Sequence, residues 1–356
     1  MTIDADADDL LALTAALVDV PSVSHEEREL ADDVQAWLEV NAPLVGVERV
    51  ANSVIGRTAL GRERRVVLGG HLDTVPPNDN AKAHLDGDVC QGLGSADMKG
   101  GLAVLLRLAA ELDDPEHDVT FLLYDGEEVE EEFNGLRGLF ADHPQLVAGD
   151  LAILLEPTDG WVEAGCQGTL HVRVTFEGER AHSARPWMGE NAIHRAADTL
   201  ARLARHAADV VVVDGLEFRE SLQTVRIDGG IANNVVPDRC SLVVNRRFAP
   251  KYSIEEATDQ VRELLDEADR IDVVDASPAA PPNLADPLVA EFVGGLGLPV
   301  RPKLGWTDVA RFAAHGIPAL NFGPGDPTIA HTKDESVTRD SLEEVHAALR
   351  RFLAPG

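Results

Sequence analysis

Short apolar runs, each ending abruptly in a histidine or an acid, limit this chain to a narrow set of folds. Val66-Val67-Leu68 leads through two glycines into His71. Residues 119–124 lead into Asp125, and residues 151–155 lead into Glu156. Runs of this length, bounded by polar segments, suit strands buried on both faces. Residues 98–112, between the first two runs, carry the texture of a buried helix. Strands alternating with helices predict an α/β fold: a mixed, mostly parallel sheet covered by helices. In such a sheet, ligands bind beyond the carboxyl ends of the strands.

The rest of the chain fits around that frame. Helical spacing covers 9–20 and 26–40, separated by Pro21-Ser22-Val23-Ser24, with Ser24 and Glu27 read as a capping box. Further strands are expected at 47–51, 53–59 and 65–70. The texture changes near residue 167. Alternation at 170–176, helical spacing at 191–206, alternation at 221–228 and 240–248, and an amphipathic stretch at 254–268 give a β-α-β-β-α set. That order suits a small two-layer α+β domain. Residues 274–287, rich in Ala, Pro and Asp, read as a linker. A strand at 317–322 and a helix at 340–353 return to the first texture. The expected organisation is therefore one domain built from 1–166 and 277–356, with 167–276 inserted into it.

With 356 residues, 44% of them hydrophobic, the chain can bury a large core. Its apolar runs are far too short to span a bilayer. The acidic start, MTIDADADDLL, lacks the basic region of a signal peptide. Cys90, Cys166 and Cys240 are widely spaced and form no CxxC pair, as suits a reducing cytoplasm. Lys and Arg number 31 against 62 Asp and Glu, for a net charge of −31. Such a surface excludes nucleic acid and anionic membranes as partners. It also suggests adaptation to a salty cytoplasm, where screening removes self-repulsion.

Five places at the ends of the large-domain strands carry chemistry: His71 with Asp73, Asp97, Glu127 with Glu128, Glu156, and His331. Each has an ordinary reading alone. Asp97 could be the N-cap of the helix after it, and Glu127-Glu128 part of a solvated acidic loop. Together they would be a costly charge cluster without a cation. Imidazole and carboxylate ligands suit Zn²⁺, and a shared carboxylate suits a two-metal hydrolytic site.

At this point the sequence resembles a known family. GHLDTVP, GSADMKGG, the paired glutamates, EPT and the late AH resemble the motifs of the zinc-dependent M20 peptidases and deacylases, in order over nearly the whole chain. YDGEEVEEEFNGL, EAGCQGTLHV and RAHSARPWMGENAIH bring it nearest the actinobacterial branch of the desuccinylases. The chain departs from the commoner pattern in reading Gly92-Leu93-Gly94 before Asp97. The resemblance implies two Zn²⁺ per subunit, with Co²⁺ able to substitute. Asp97 would bridge them, His71 and Glu156 completing one site, Glu128 and His331 the other. Glu127 would be the general base and Asp73 would orient His71. His182 would stabilise the oxyanion from the partner subunit of a homodimer, which makes the inserted domain a dimerisation or lid domain. Arg185, Asn234, Arg247, Thr307 and Gly323 would contact substrate, the arginines suiting carboxylates. The implied substrate is the small molecule N-succinyl-LL-2,6-diaminopimelate. The open alternatives are N-acetylornithine deacetylase, N-acyl amino acid hydrolase or dipeptidase activity, or a metal-dependent binding protein without catalysis.

Overall fold

The computed structural model describes residue 3 and residues 9–355. The expectation about the acidic start falls mostly outside these residues. The chain separates into two compact units. The first comprises 1–164, 283–301 and 311–356, and the second 165–282 with 302–310.

An eight-stranded sheet organises the first unit. Its spatial order is Gly46–Val50, Ser53–Arg57, Asp118–Tyr124, Arg65–His71, Leu151–Leu154, Ala319–Asn321, Val162–Cys166 and Val300–Lys303. The four strands from Asp118–Tyr124 to Ala319–Asn321 run parallel. Antiparallel pairs flank them, Ser53–Arg57 on one side and Val162–Cys166 on the other. The sheet is thus mixed, with a parallel centre. All seven residues of Asp118–Tyr124 are buried, so its apolar run shows no alternation. Helix Gly100–Glu111 packs nine of its twelve residues into the core. Asp9 caps helix Leu10–Val18 by accepting from the amides of Leu11 and Ala12.

The capping box expected at Ser24 and Glu27 does not form. Glu27 sits at the N-cap of helix Arg28–Asn41 and accepts from the His25 amide, while Ser24 donates to Asp73. A capping box forms instead at Ser253 and Glu256, opening helix Ile254–Leu264.

The second unit is built on a four-stranded antiparallel sheet. Its order is Ser221–Gly229, Arg239–Phe248, Gly168–Glu177 and Arg270–Ser277. Leu170, Val172, Val174 and Phe176 point inward with Leu242 and Val244, and Ala192, Ala196, Ala257 and Val261 from the helices close over them. This is the two-layer arrangement expected of the alternating segments. Strand Arg270–Ser277 takes up the start of the stretch expected as a linker. Residues 274–277 of that stretch belong to the strand, which pairs with Gly168–Glu177 through a register shift between Val273 and Asp275.

Candidate metal centre

Strand geometry explains why donors converge in the first unit. His71 closes strand Arg65–His71, and Glu156 follows Leu151–Leu154, the adjacent parallel strand. Glu127 and Glu128 follow Asp118–Tyr124, the neighbour on the other side. Gly126 turns the chain between that strand and the two glutamates at φ +70°, and a Cβ there would lie 2.4 Å from the Phe133 carbonyl. His331 also holds a left-handed backbone, φ +62°, unusual for a residue with a side chain.

Three overlapping sets of donor atoms result, each with all its atoms within 4.8 Å of one another. They are His71, Asp97 and Glu156; Asp97, Glu128 and His331; and His71, Glu127 and Glu128. Asp97 joins the first two. Its Oδ1 lies 3.1 Å from His71 Nε2, and its Oδ2 lies 3.5 Å from His331 Nε2. His331 Nε2 is also 2.8 Å from Glu128 Oε1. Imidazole nitrogens and carboxylate oxygens at this spacing fit a divalent cation, and their shared carboxylate fits two.

The electrostatics agree. Burial disfavours charge on His71, yet Asp73 and Asp97 hold its pKa well above the ordinary imidazole value. Hydrogen bonding to Asp97 and Glu128 pushes His331 up to about 10. Burial raises Asp97, but His331 and His71 outweigh it and hold its carboxyl below the usual range. Without a cation, these histidines keep protons that neutralise the carboxylates, and a metal would take their place.

Asp73 is fully buried. Its Oδ1 accepts from the Glu127 amide and its Oδ2 from the Glu128 amide, each at 3.0 Å, and Ser24 Oγ donates to Oδ2 at 2.8 Å. The ring of His71 instead meets the backbone carbonyl of Asp73, at 2.9 Å from Nδ1, with the carboxylate 3.6 Å away. A carbonyl acceptor at Nδ1 leaves Nε2 as the free ligand nitrogen. Burial opposes charge on Asp73, but His71 and the two amides hold it at about 2.

Gly323 is buried beside Glu156. Its amide donates to Thr158 Oγ1, its carbonyl accepts from the same hydroxyl, and a Cβ there would lie 2.4 Å from the carbonyls of Leu155 and Glu156. The other candidates belong to the second unit. His182 is exposed, and its Nδ1 accepts the Ala184 amide at 3.0 Å, so Nε2 carries the proton. A bridge from His182 to Val235 and a bond from the Ser183 amide to the Asn234 carbonyl hold that turn beside exposed Asn234. Arg185 is exposed, and its amide donates to the His182 carbonyl. Thr307 is buried, its carbonyl accepting from the Ala310 amide. Arg246 is committed to Glu220 and Gln260. Arg247, the next residue of the strand, points to the other face and is half-buried.

Sequence reasoning did not single out Glu335. It is buried, with Oε1 accepting from the amides of Ala96 and Asp97. Its place four residues after His331 was the available signal.

Known proteins share this architecture. The model of peptidase family M20/M25/M40 matches residues 67–354. A succinyl-diaminopimelate desuccinylase of Corynebacterium glutamicum is 43% identical over 97% of this chain and 96% of its own. A Mycobacterium tuberculosis relative, provisionally given the same name, is 47% identical over 97% of this chain and 98% of its own. A Staphylococcus aureus tripeptidase superposes with a TM-score of 0.77 at 20% identity, covering 99% of this chain and 98% of its own. The Bacillus subtilis YxeP protein, a dinuclear metal binding peptidase, superposes with a TM-score of 0.70 at 14% identity, covering 97% of each chain. With the family match spanning most of its length, this chain belongs to peptidase family M20/M25/M40.

Proposed function

We propose that this protein is a di-zinc amidohydrolase that cleaves N-succinyl-LL-2,6-diaminopimelate to succinate and LL-2,6-diaminopimelate, in lysine and cell-wall precursor synthesis. The observation that carries the reading is the Asp97 carboxylate, each oxygen turned toward one of the two imidazoles. The names of the Corynebacterium and Mycobacterium relatives supply the substrate.

In this reading His71, Asp97 and Glu156 hold one Zn²⁺, and Asp97, Glu128 and His331 hold the other. The pair would supply Lewis acidity, polarising the amide carbonyl and acidifying a water. Glu127 takes a proton from that water at a carboxylate oxygen and returns it to the leaving amine nitrogen. Asp73 fixes where that carboxylate starts, because it holds the Glu127 and Glu128 amides. His182 presents an Nε2–H, the form needed to donate to an oxyanion. Arg185, Asn234, Arg247 and Thr307 recognise the substrate's carboxylates. Arg247 suits this better than Arg246, whose guanidinium is already neutralised by Glu220. Gly323 contributes through close packing under Glu156.

The working form is a homodimer in the cytoplasm, to which the partner copy brings His182. Edge strand Ser221–Gly229 supports this, since Val225 and Ile227 on it are 59% and 52% exposed. Three buried free cysteines suit a reducing compartment. Among the described residues no helix is long and apolar enough to cross a membrane.

Steady-state turnover by zinc-loaded protein tests the substrate. N-succinyl-LL-diaminopimelate, N-acetylornithine and a dipeptide are compared at equal concentration. Strong preference for the succinyl compound is expected. Preference for either of the others moves the chain to another activity of the family, and turnover of none favours a binding protein.

A further inference from the structure

We infer that Glu335 is a positioning residue for the metal centre, a carboxylate that binds no ion but fixes the bridging Asp97 relative to His331. The inference rests on the di-metal reading above.

Glu335 is 1% exposed. A single oxygen, Oε1, accepts from the Ala96 amide at 3.1 Å and the Asp97 amide at 3.0 Å. These amides need an outside acceptor. The helical turn Ser95–Lys99 is interrupted at Asp97 (φ −120°, ψ 90°) and Met98 (φ −137°, ψ 38°). An anionic acceptor taking two successive amides binds them more strongly than a neutral one and sets their direction. The buried Lys99 side chain, at the end of the same turn, donates to the carbonyls of Leu17 and Val20.

The backbone of Glu335 is held as firmly. Its carbonyl accepts from the Gly92 amide at 3.0 Å, and Ser336–Thr338 pairs with Val89–Gln91 directly after it. Asn80 ties the other end, donating to the Thr332 carbonyl at 3.1 Å. The segment that carries His331 is thereby joined to the segment that carries Asp97, and the Glu335 side chain grips Asp97 itself. A bridging carboxylate must serve two ions at once, so a small rotation of its backbone costs both sites. Residues that orient ligands in this way change metal affinity or activity by about 10–100-fold when removed.

The test uses the full chain, stripped of metal and titrated with Zn²⁺ alone against a chromophoric chelator. Glu335→Gln keeps the volume and one acceptor oxygen but removes the charge. Thr58→Ala is the comparison, because it removes a buried hydrogen bond to Asp118, at the end of strand Asp118–Tyr124 away from the metal centre. Wild type is expected to take two ions. Glu335→Gln is expected to lose about 10–100-fold in affinity for at least one ion, to shift the visible spectrum of the Co²⁺-loaded protein, and to lower kcat with KM within about twofold. Thr58→Ala is expected to lower the melting temperature and keep wild-type zinc affinity. If Glu335→Gln does not fold, Glu335→Asp, one methylene shorter, gives the same readouts. A folded Glu335 variant with wild-type affinity, spectrum and kcat overturns the role, whatever its melting temperature. Wild type that takes up no Zn²⁺ overturns the metal reading, and this role with it.

Discussion

Glu127 and Glu128 are adjacent, chemically alike and both half-buried, yet the proposed reaction gives them different work. Glu128 lies 2.8 Å from His331 and belongs to the donor set that includes Asp97. Glu127 completes neither of the two sets that Asp97 joins. Glu127→Gln keeps the shape but cannot carry a proton, so kcat should fall about 10²–10⁴-fold with zinc content unchanged. Full turnover by that variant would refute the base. The histidines make a second prediction. With His331 at about 10 and His71 well above 6.5, both keep protons near neutrality when no cation is bound. Zinc must displace them, so its affinity should rise with pH, and calorimetry in buffers of differing ionisation enthalpy should record proton release. The sign for stability is opposite. A raised histidine pKa contributes stability fully present below about 6.5 and lost as pH rises through about 10. Metal-free protein should therefore lose melting temperature across that window more steeply than zinc-loaded protein. Zinc affinity that ignores pH would show the imidazoles already neutral.

At the scale of elements, the site is a set of strand ends held together by buried carboxylates. Asp73 accepts both glutamate amides and the Ser24 hydroxyl. Ser24→Ala should cost about 1 kcal/mol of folding stability in denaturant titrations, whereas Asp73→Ala should cost several, because buried amides left unpaired lose about 1–3 kcal/mol each. Equal effects would mean that the amides find other partners. The gathering of His71, Glu127, Glu128 and Glu156 was legible in sequence because each lies just beyond a short, mostly apolar run. Such a run fixes a buried parallel strand, and neighbouring parallel strands end on one edge. The Ser24–Asp73 bond was not legible. Ser-x-x-Glu before a helix reads locally as a capping box, and only the fold brings residue 73 to residue 24. Strand Arg270–Ser277 was hidden for a related reason: all eight of its residues are exposed or half-exposed, so its pairing carries little apolar signal. Edge strand Ser221–Gly229 makes a prediction of its own. If it pairs with a second copy, Ile227→Lys should yield monomers in sedimentation and lower turnover through loss of the partner's histidine. A monomeric, fully active variant would leave that edge without this function.

For the whole molecule, 62 acidic residues face 31 basic ones, five of which are lysine, so even complete pairing leaves 31 negative charges. Many of the arginines already sit in ion pairs, as Arg107 does with Glu111 and Glu343, Arg195 with Asp269, and Arg339 with Asp9 and Asp88. Two effects of salt then compete. Screening weakens these surface pairs, but each contributes only about 0–1 kcal/mol. Screening also relieves the repulsion among the excess carboxylates, which acts over the whole surface. The Debye length falls from about 10 Å at 0.1 M salt to about 3 Å at 1 M, so neighbouring carboxylates stop sensing one another. With this charge balance the second effect should win, and the melting temperature should rise with KCl rather than stay level. The substrate adds an independent sign. N-succinyl-LL-diaminopimelate carries three carboxylates, so the protein's field opposes its approach while a few arginines must capture it. Its kcat/KM should therefore rise with KCl at low ionic strength, opposite to an enzyme that steers its substrate in. Replacing exposed acids far from the metal centre, such as Asp113 and Asp142, with asparagine should raise the low-salt melting temperature and flatten both salt responses. A melting temperature that falls with KCl in the parent chain would mean that its ion pairs outweigh its net charge, and adaptation to a salty cytoplasm would lose its physical basis.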